Sequence, residues 1–291
     1  MNKIEVHKDI IYNSKTLKDI TLIHLGDIHF NNKTKEKKLD KIKEELYKNN
    51  PDYVLITGDT IDEPSVIKDK LKIRKLLIFL TDISKISKVI ISLGNHDIFK
   101  IEDHKFFKNL NDLKNIYVLD NESYVDESIY ISGFTLPNKY YYNINHEESK
   151  ELLIEHLQKY KKLTTNLPAF LPKVSLIHSP IRLVDTDVLN ILKEYDLLLS
   201  GHTHGGMVPK ILSKLLKKNQ GIIAPNKQIL PDIARGKIEK NIFNKKITII
   251  ITSGITKLGE KSASILSKLD FVYNIDINKI IITNKKGIYH E

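Results

Sequence analysis

Thr21-Leu22-Ile23-His24-Leu25-Gly26-Asp27-Ile28-His29 is the stretch on which the fold class turns. A short strand-like run, Thr21–Leu25, is stopped by a glycine, and an acid and a histidine follow at i and i+2. In extended chain those two side chains point the same way, so Asp27 and His29 leave the strand end together. The pattern recurs twice: Tyr53–Thr57 ends in Gly58-Asp59, and Val89–Leu93 ends in Gly94-Asn95-His96-Asp97. Between the first two runs lies Lys35–Lys48, with Leu39, Ile42 and Leu46 at helical spacing, and Lys68–Leu80 fills the next gap in the same way. Strand and helix alternating like this read as βαβ units with parallel strands. Strands apolar at nearly every position imply a sheet covered on both faces.

Further strands are expected at Ile129–Gly133, Val174–Ile177, Leu197–Leu199, Ile247–Thr252 and Phe271–Ile275, and helices at Glu147–Tyr160 and Thr186–Tyr195. No internal repeat or Gly/Ser-rich linker divides the chain, so residues 1–291 are read as one α/β domain. Residues 205–244, lysine-rich and carrying Pro209, Pro225 and Pro231, read as a basic excursion from the core. Ile10–Ile20 and Tyr140–Asn145 read as loops or edge strands.

The absence of cysteine excludes disulfides, thiolate metal sites and cysteine nucleophiles. The net charge of +10 invites a nucleic-acid or membrane reading. Of the 46 basic residues only Arg74, Arg182 and Arg235 are arginines, and arginine is the usual residue for bidentate phosphate and base-edge contacts. The charge therefore speaks weakly for anionic surfaces and hardly at all for DNA. Met1–Lys18 is polar and lacks the apolar stretch of a signal peptide, and no run is long enough to cross a bilayer. A cytoplasmic protein is expected, with peripheral contact to an anionic membrane left open.

With His178 and Gly201-His202-Thr203-His204, each following an apolar run, the blocks number five. Together they supply three carboxylates, one amide and five imidazoles. Buried groups of this kind are expensive unless paired or metal-bound, so one shared metal site explains them economically. A donor set of nitrogen and oxygen without sulfur suits Mn, Fe, Zn or Ni better than Ca or Mg.

The order Asp-x-His, Gly-Asp, Gly-Asn-His-Asp, His and Gly-His-x-His resembles the calcineurin-like metallophosphoesterase superfamily, over about Ile20 to Thr252. The resemblance implies a four-layer α/β/β/α sandwich of two mixed sheets flanked by helices, with a dinuclear metal site at the strand ends. It places Asp27, His29, Asp59 and His204 on one divalent ion and Asp59, Asn95, His178 and His202 on the other, with Asp59 bridging. It implies hydrolysis of a phosphodiester, phosphomonoester or pyrophosphate by a hydroxide held between the two metals; the mixed donor set, with no thiolate to favour zinc, makes manganese the expected activator. His96, spared from ligation by Asn95, is expected near the transferring phosphoryl group, with Asp97 orienting its ring. The doublet Gly205-Gly206 resembles a bacterial branch of membrane-associated phosphodiesterases, although Met207 stands where that branch usually carries glutamine. A phosphorylated small-molecule or lipid-type substrate is therefore expected. A nuclease is the first alternative, with Tyr140-Tyr141-Tyr142 as its one candidate stacking platform. A phosphate- or lipid-binding protein without turnover is the second.

Other candidates read as ordinary. His24 reads as a structural histidine, and His7, His104, His146, His156 and His290 as solvated surface residues. Asp62 and Asp82 read as helix N-cap or loop residues. Val208–Lys218 places Val208, Ile211, Leu212, Leu215 and Leu216 on one helical face and Lys210, Lys214, Lys217 and Lys218 on the other. Such a helix either packs on the core or meets an anionic surface.

Overall fold

A computed structural model describes residues 3–31, 34, 36–63, 65–98, 101–141, 145–209, 215–223, 229–256 and 273–285, with the backbone alone at 101–104 and 146. Twelve strands among these residues form two six-stranded sheets. In the first sheet β2 (Ile20–Leu25), β3 (Tyr53–Thr57), β4 (Lys88–Ser92) and β5 (Ile116–Leu119) run parallel in that order. The late strand β12 (Ile275–Thr283) lies antiparallel against β2, and β1 (Ile4–Tyr12) pairs parallel to β12 at the edge. In the second sheet β7 (Tyr130–Phe134), β8 (Lys173–Ile177), β9 (Leu197–Ser200) and β11 (Lys245–Ile251) are parallel. β6 (Glu122–Val125) and β10 (Gly236–Ile242) close the two edges antiparallel.

The period-2 alternation of the strands sorts their side chains into separate cores. Ile23, Leu25, Val54, Ile56, Val89 and Ile91 face the helices α1 (Glu36–Asn49), α3 (Lys70–Ser84) and α4 (Ile101–Leu110). Ile20, Leu22, Leu55 and Ile90 meet Ile131, Val174, Leu176 and Leu199 between the sheets. Phe134, Ile177, Leu198 and Ile249 pack under α5 (His146–Lys159) and α6 (Thr186–Ile191). Three apolar interfaces define four layers, the α/β/β/α sandwich that the family resemblance implied.

Several expectations need correction. The helix read at Lys68–Leu80 is two, α2 (Ser65–Lys68) and α3, because Asp69 breaks the run and accepts hydrogen bonds from the Leu71 and Lys72 amides as the N-cap of α3. Asp82 is inside α3, paired with Lys43 and Lys85, and not a cap. The strand read at Phe271–Ile275 begins only at Ile275, and residues 271–272 lie outside the described residues. The excursion is shorter than read, since 236–242 is already edge strand β10. Most of the amphipathic helix read at 208–218 lies outside the described residues, as do the side chains of His104, His146 and His290. His156 is half-buried, with Nε2 2.8 Å from Asn121 Oδ1, and not a solvated residue.

His24 is fully buried, with Nε2 2.9 Å from Thr57 Oγ1, as a structural histidine would be. Burial pushes its pKa down to about 3. The folded value lies below the unfolded value of about 6.5, so the unfolded chain takes up the proton first and stability falls with pH through that window. Between pH 6.5 and 4, His24 should contribute a loss of about 1.4 kcal/mol per pH unit. Denaturant melts across this range should be less steep in pH for His24→Gln. Equal slopes would show that His24 carries no such linkage.

Candidate metal centre

Every block singled out in the sequence sits at the carboxyl end of a strand, where open α/β sheets build their sites. The loops after β2, β3 and β4 bring Asp27, His29, Asp59, Asn95 and His96 from the first sheet. Those after β8 and β9 bring His178, His202 and His204 from the second. The glycines of the blocks permit the loops to touch: a Cβ on Gly201 would stand 2.6 Å from Asp27 Oδ2, and one on Gly94 would collide with the Asp59 carboxylate. Asp27, His29, Asp59, His202 and His204 all have positive φ, between 45° and 66°. Side chains rarely tolerate this conformation, and its clustering at one site marks function.

The side chains form two adjoining groups. Asp27, His29 and His204 bring ligand atoms within 4.8 Å of one another, and so do Asp59, His178 and His202. Asp59 joins them: its Oδ2 is 3.1 Å from His178 Nε2 and 3.5 Å from His29 Nε2. Asp27 Oδ1 lies 4.0 Å from Nε2 of both His29 and His204.

Outer contacts aim the rings. His178 Nδ1 is 2.7 Å from the Thr57 carbonyl and His204 Nδ1 2.8 Å from that of Thr256. A carbonyl only accepts, so each Nδ1 carries the proton and each Nε2 presents a lone pair inward. His29 Nδ1 lies 3.1 Å from Asp62 Oδ1. Asp62 does lie in a loop, the one after β3, but it is buried behind the site and caps no helix. A carboxylate three residues beyond Asp59 in the same loop was the available sign, since inward-facing histidines need such partners.

His96 donates its backbone N–H to Asp59 Oδ1 at 2.9 Å, and its Nδ1 meets the Asp62 carbonyl at 2.5 Å. The expected orienting role of Asp97 is not what the geometry shows: its carboxylate accepts from the Gly94 and Ile61 amides, fixing the loop. Asp62 orients the His96 ring.

Burial opposes charge throughout, and the residues answer it by pairing. Burial would raise Asp59, but His178 and His96 hold its pKa well below the carboxylate range. Burial would lower His178, but without a cation at Nε2 Asp59 lifts it to about 9, and a metal ion bound there would displace that proton. Asp97 is pushed up to about 7 by burial and by Asp59. His202 and His29 are pushed down chiefly by burial.

His29 Nε2, His178 Nε2 and Asn95 Oδ1 are buried without a well-formed hydrogen bond among the described residues. Buried acceptor atoms left unpartnered in loops that also carry the Asp59 and Asp27 carboxylates are what divalent cations satisfy. The residues present fit two such ions.

Residues 20–206 match the family model described as calcineurin-like phosphoesterase. An uncharacterized metallophosphoesterase of Campylobacter jejuni is 28% identical over 211 residues, which are 71% of this chain and 49% of that protein. A UDP-2,3-diacylglucosamine pyrophosphatase of Chlamydia muridarum is 24% identical over 265 residues, 76% of this chain and 73% of its own. Among solved structures, a dimetal phosphatase from Danio rerio aligns over 81% of this chain and 87% of that one, at 11% identity and a TM-score of 0.42. The chain spans about half the length of the Campylobacter relative.

Proposed function

We propose that this chain, which belongs to the calcineurin-like phosphoesterase family, hydrolyses phosphoric esters or anhydrides with two divalent metal ions. The observation that carries the reading is the shared Asp59 oxygen, within 3.5 Å of a histidine from each sheet. Asp27, His29, Asp59 and His204 would hold one ion, and Asp59, Asn95, His178 and His202 the other. Two such ions supply an ionised water at neutral pH and neutralise charge on the phosphoryl oxygens. His96 is the acid or cation for the leaving oxygen. Asp59 and the Asp62 carbonyl raise its pKa against the lowering effect of burial, which favours the protonated ring.

A lipid-type or other amphiphilic phosphodiester or pyrophosphate is the substrate we favour. The similarity to the Chlamydia pyrophosphatase supports it. So does the surface beside the site, where the Ile222 and Ile223 amides bond to the Gly206 carbonyl and Ile223, Ile229 and Leu230 stand exposed. Among the described residues no helix is long and apolar enough to cross a membrane. The tyrosine cluster lends a nuclease little support: Tyr140 is buried with its hydroxyl donating to the Ile181 carbonyl, and Tyr142 lies outside the described residues.

The test crosses Mn, Fe, Zn and Ni with a monoester, bis-p-nitrophenyl phosphate, a lipid-linked pyrophosphate and single-stranded DNA. Hydrolysis should need metal, Mn should activate best, and the lipid-linked pyrophosphate should turn over fastest. Metal-stripped protein keeping its full rate would defeat the hydrolase reading, and preference for DNA would defeat the substrate.

A further inference from the structure

We propose that the Tyr141 hydroxyl donates a hydrogen bond to a phosphoryl oxygen of the substrate, on the side of the centre formed by His178 and His202. The inference rests on the hydrolase reading above and adds a specificity residue to it.

Tyr141 ends a 3-10 turn, Asn138–Tyr141, which follows β7. Tyr140 anchors that turn, its ring buried under α5 and its hydroxyl tied to the Ile181 carbonyl. With its neighbour fixed, Tyr141 turns toward the centre. Its ring meets His202 edge-on at 5.1 Å and lies 5.9 Å from His178, the two imidazoles grouped with Asp59.

The hydroxyl itself is the informative atom. It is buried and has no hydrogen-bond partner among the described residues. Burying an unpaired hydroxyl destabilises a protein, and such orphans call for an explanation in ligand, ion or catalysis. Packing does not explain it, because phenylalanine would make the same ring contacts without the penalty. A neutral phenol donates one hydrogen bond at pH 7, and the acceptor such a donor suits at a dinuclear cationic centre is an anionic oxygen. His178, with its Nδ1 proton already given to the Thr57 carbonyl, offers the phosphoryl group no donor on this side.

The experiment compares the manganese-loaded protein with its Tyr141→Phe variant. Inorganic phosphate is titrated calorimetrically, metal content is measured by elemental analysis, and the metal-free proteins are melted. The variant should retain two metal equivalents and bind phosphate about 10- to 100-fold more weakly, as loss of one hydrogen bond to a charged acceptor predicts. Its metal-free melting temperature should hold or rise by about 2–4 °C, since an orphaned hydroxyl has gone. An unchanged phosphate affinity, or a metal-free variant that melts lower, would overturn the inference. A wild-type protein that hydrolyses no phosphoric ester would overturn the hydrolase reading and this inference with it. An active wild type with an unaltered variant would overturn this inference alone.

Discussion

Asp59→Asn is expected to lower hydrolysis by at least about 10⁴-fold, toward the rate of water without metal assistance. The carboxylate performs three tasks at once. Its Oδ2 lies within reach of His29 and His178, its Oδ1 accepts the His96 amide, and its charge raises the His96 pKa. An asparagine has one neutral oxygen and two N–H donors. If the oxygen keeps the His96 amide, the N–H donors face the cations that Oδ2 would have bound. Elemental analysis after dialysis should find both metal positions depleted, whereas His204→Ala should empty one. Two tightly held ions in Asp59→Asn would contradict the bridging assignment.

His96→Ala is expected to cut kcat by about 10²–10⁴-fold while metal content stays near that of the wild type. The backbone amide that supports Asp59 survives the substitution, so the loss reports the ring alone. A positioned acid matters most when the leaving oxygen is basic. Across esters of falling leaving-group pKa the deficit should therefore shrink, nearly vanishing for p-nitrophenolate. A deficit equal for every leaving group would move His96 from proton donor to fixed charge on the phosphoryl oxygens. Loss of metal from the variant would show instead that its ring belongs to the ligand set.

The parts of this fold that the sequence reveals are those whose signal is local. β2, β3 and β4 are apolar at nearly every position and end in glycine, so their boundaries fell within a residue or two of those observed. The loops after them carry side chains dear to bury, and those side chains do converge between the sheets. What escaped depends on partners remote in sequence. β12 alternates like many strands, but nothing in residues 275–283 says that it inserts between β1 and β2. Edge strands β1, β6 and β10 are half-solvated and carry no such apolar run; only the end of β1 fell in a stretch read as loop or edge strand, and β10 fell in the basic excursion. Asp62 looked like a cap because the carboxylate's partner, His29, is 33 residues away. Tyr141 shared a cluster with Tyr140, and only the fold separates the anchor from the residue that faces the centre.

The position of β12 bears on how the chain is made. β2 leaves the ribosome about 250 residues before the strand that covers one of its two edges. At 5–20 residues per second that interval is roughly 13–50 s, long enough for every earlier helix and hairpin to form. Throughout it β2 presents a bare, apolar edge, the feature that templates pairing with other chains. The nascent protein thus passes through a prolonged state with most of its core in place and its first sheet unfinished. Crowded expression should punish that state, and slower synthesis at lower temperature should spare it, because the vulnerability lies in the order of translation and not in the finished molecule.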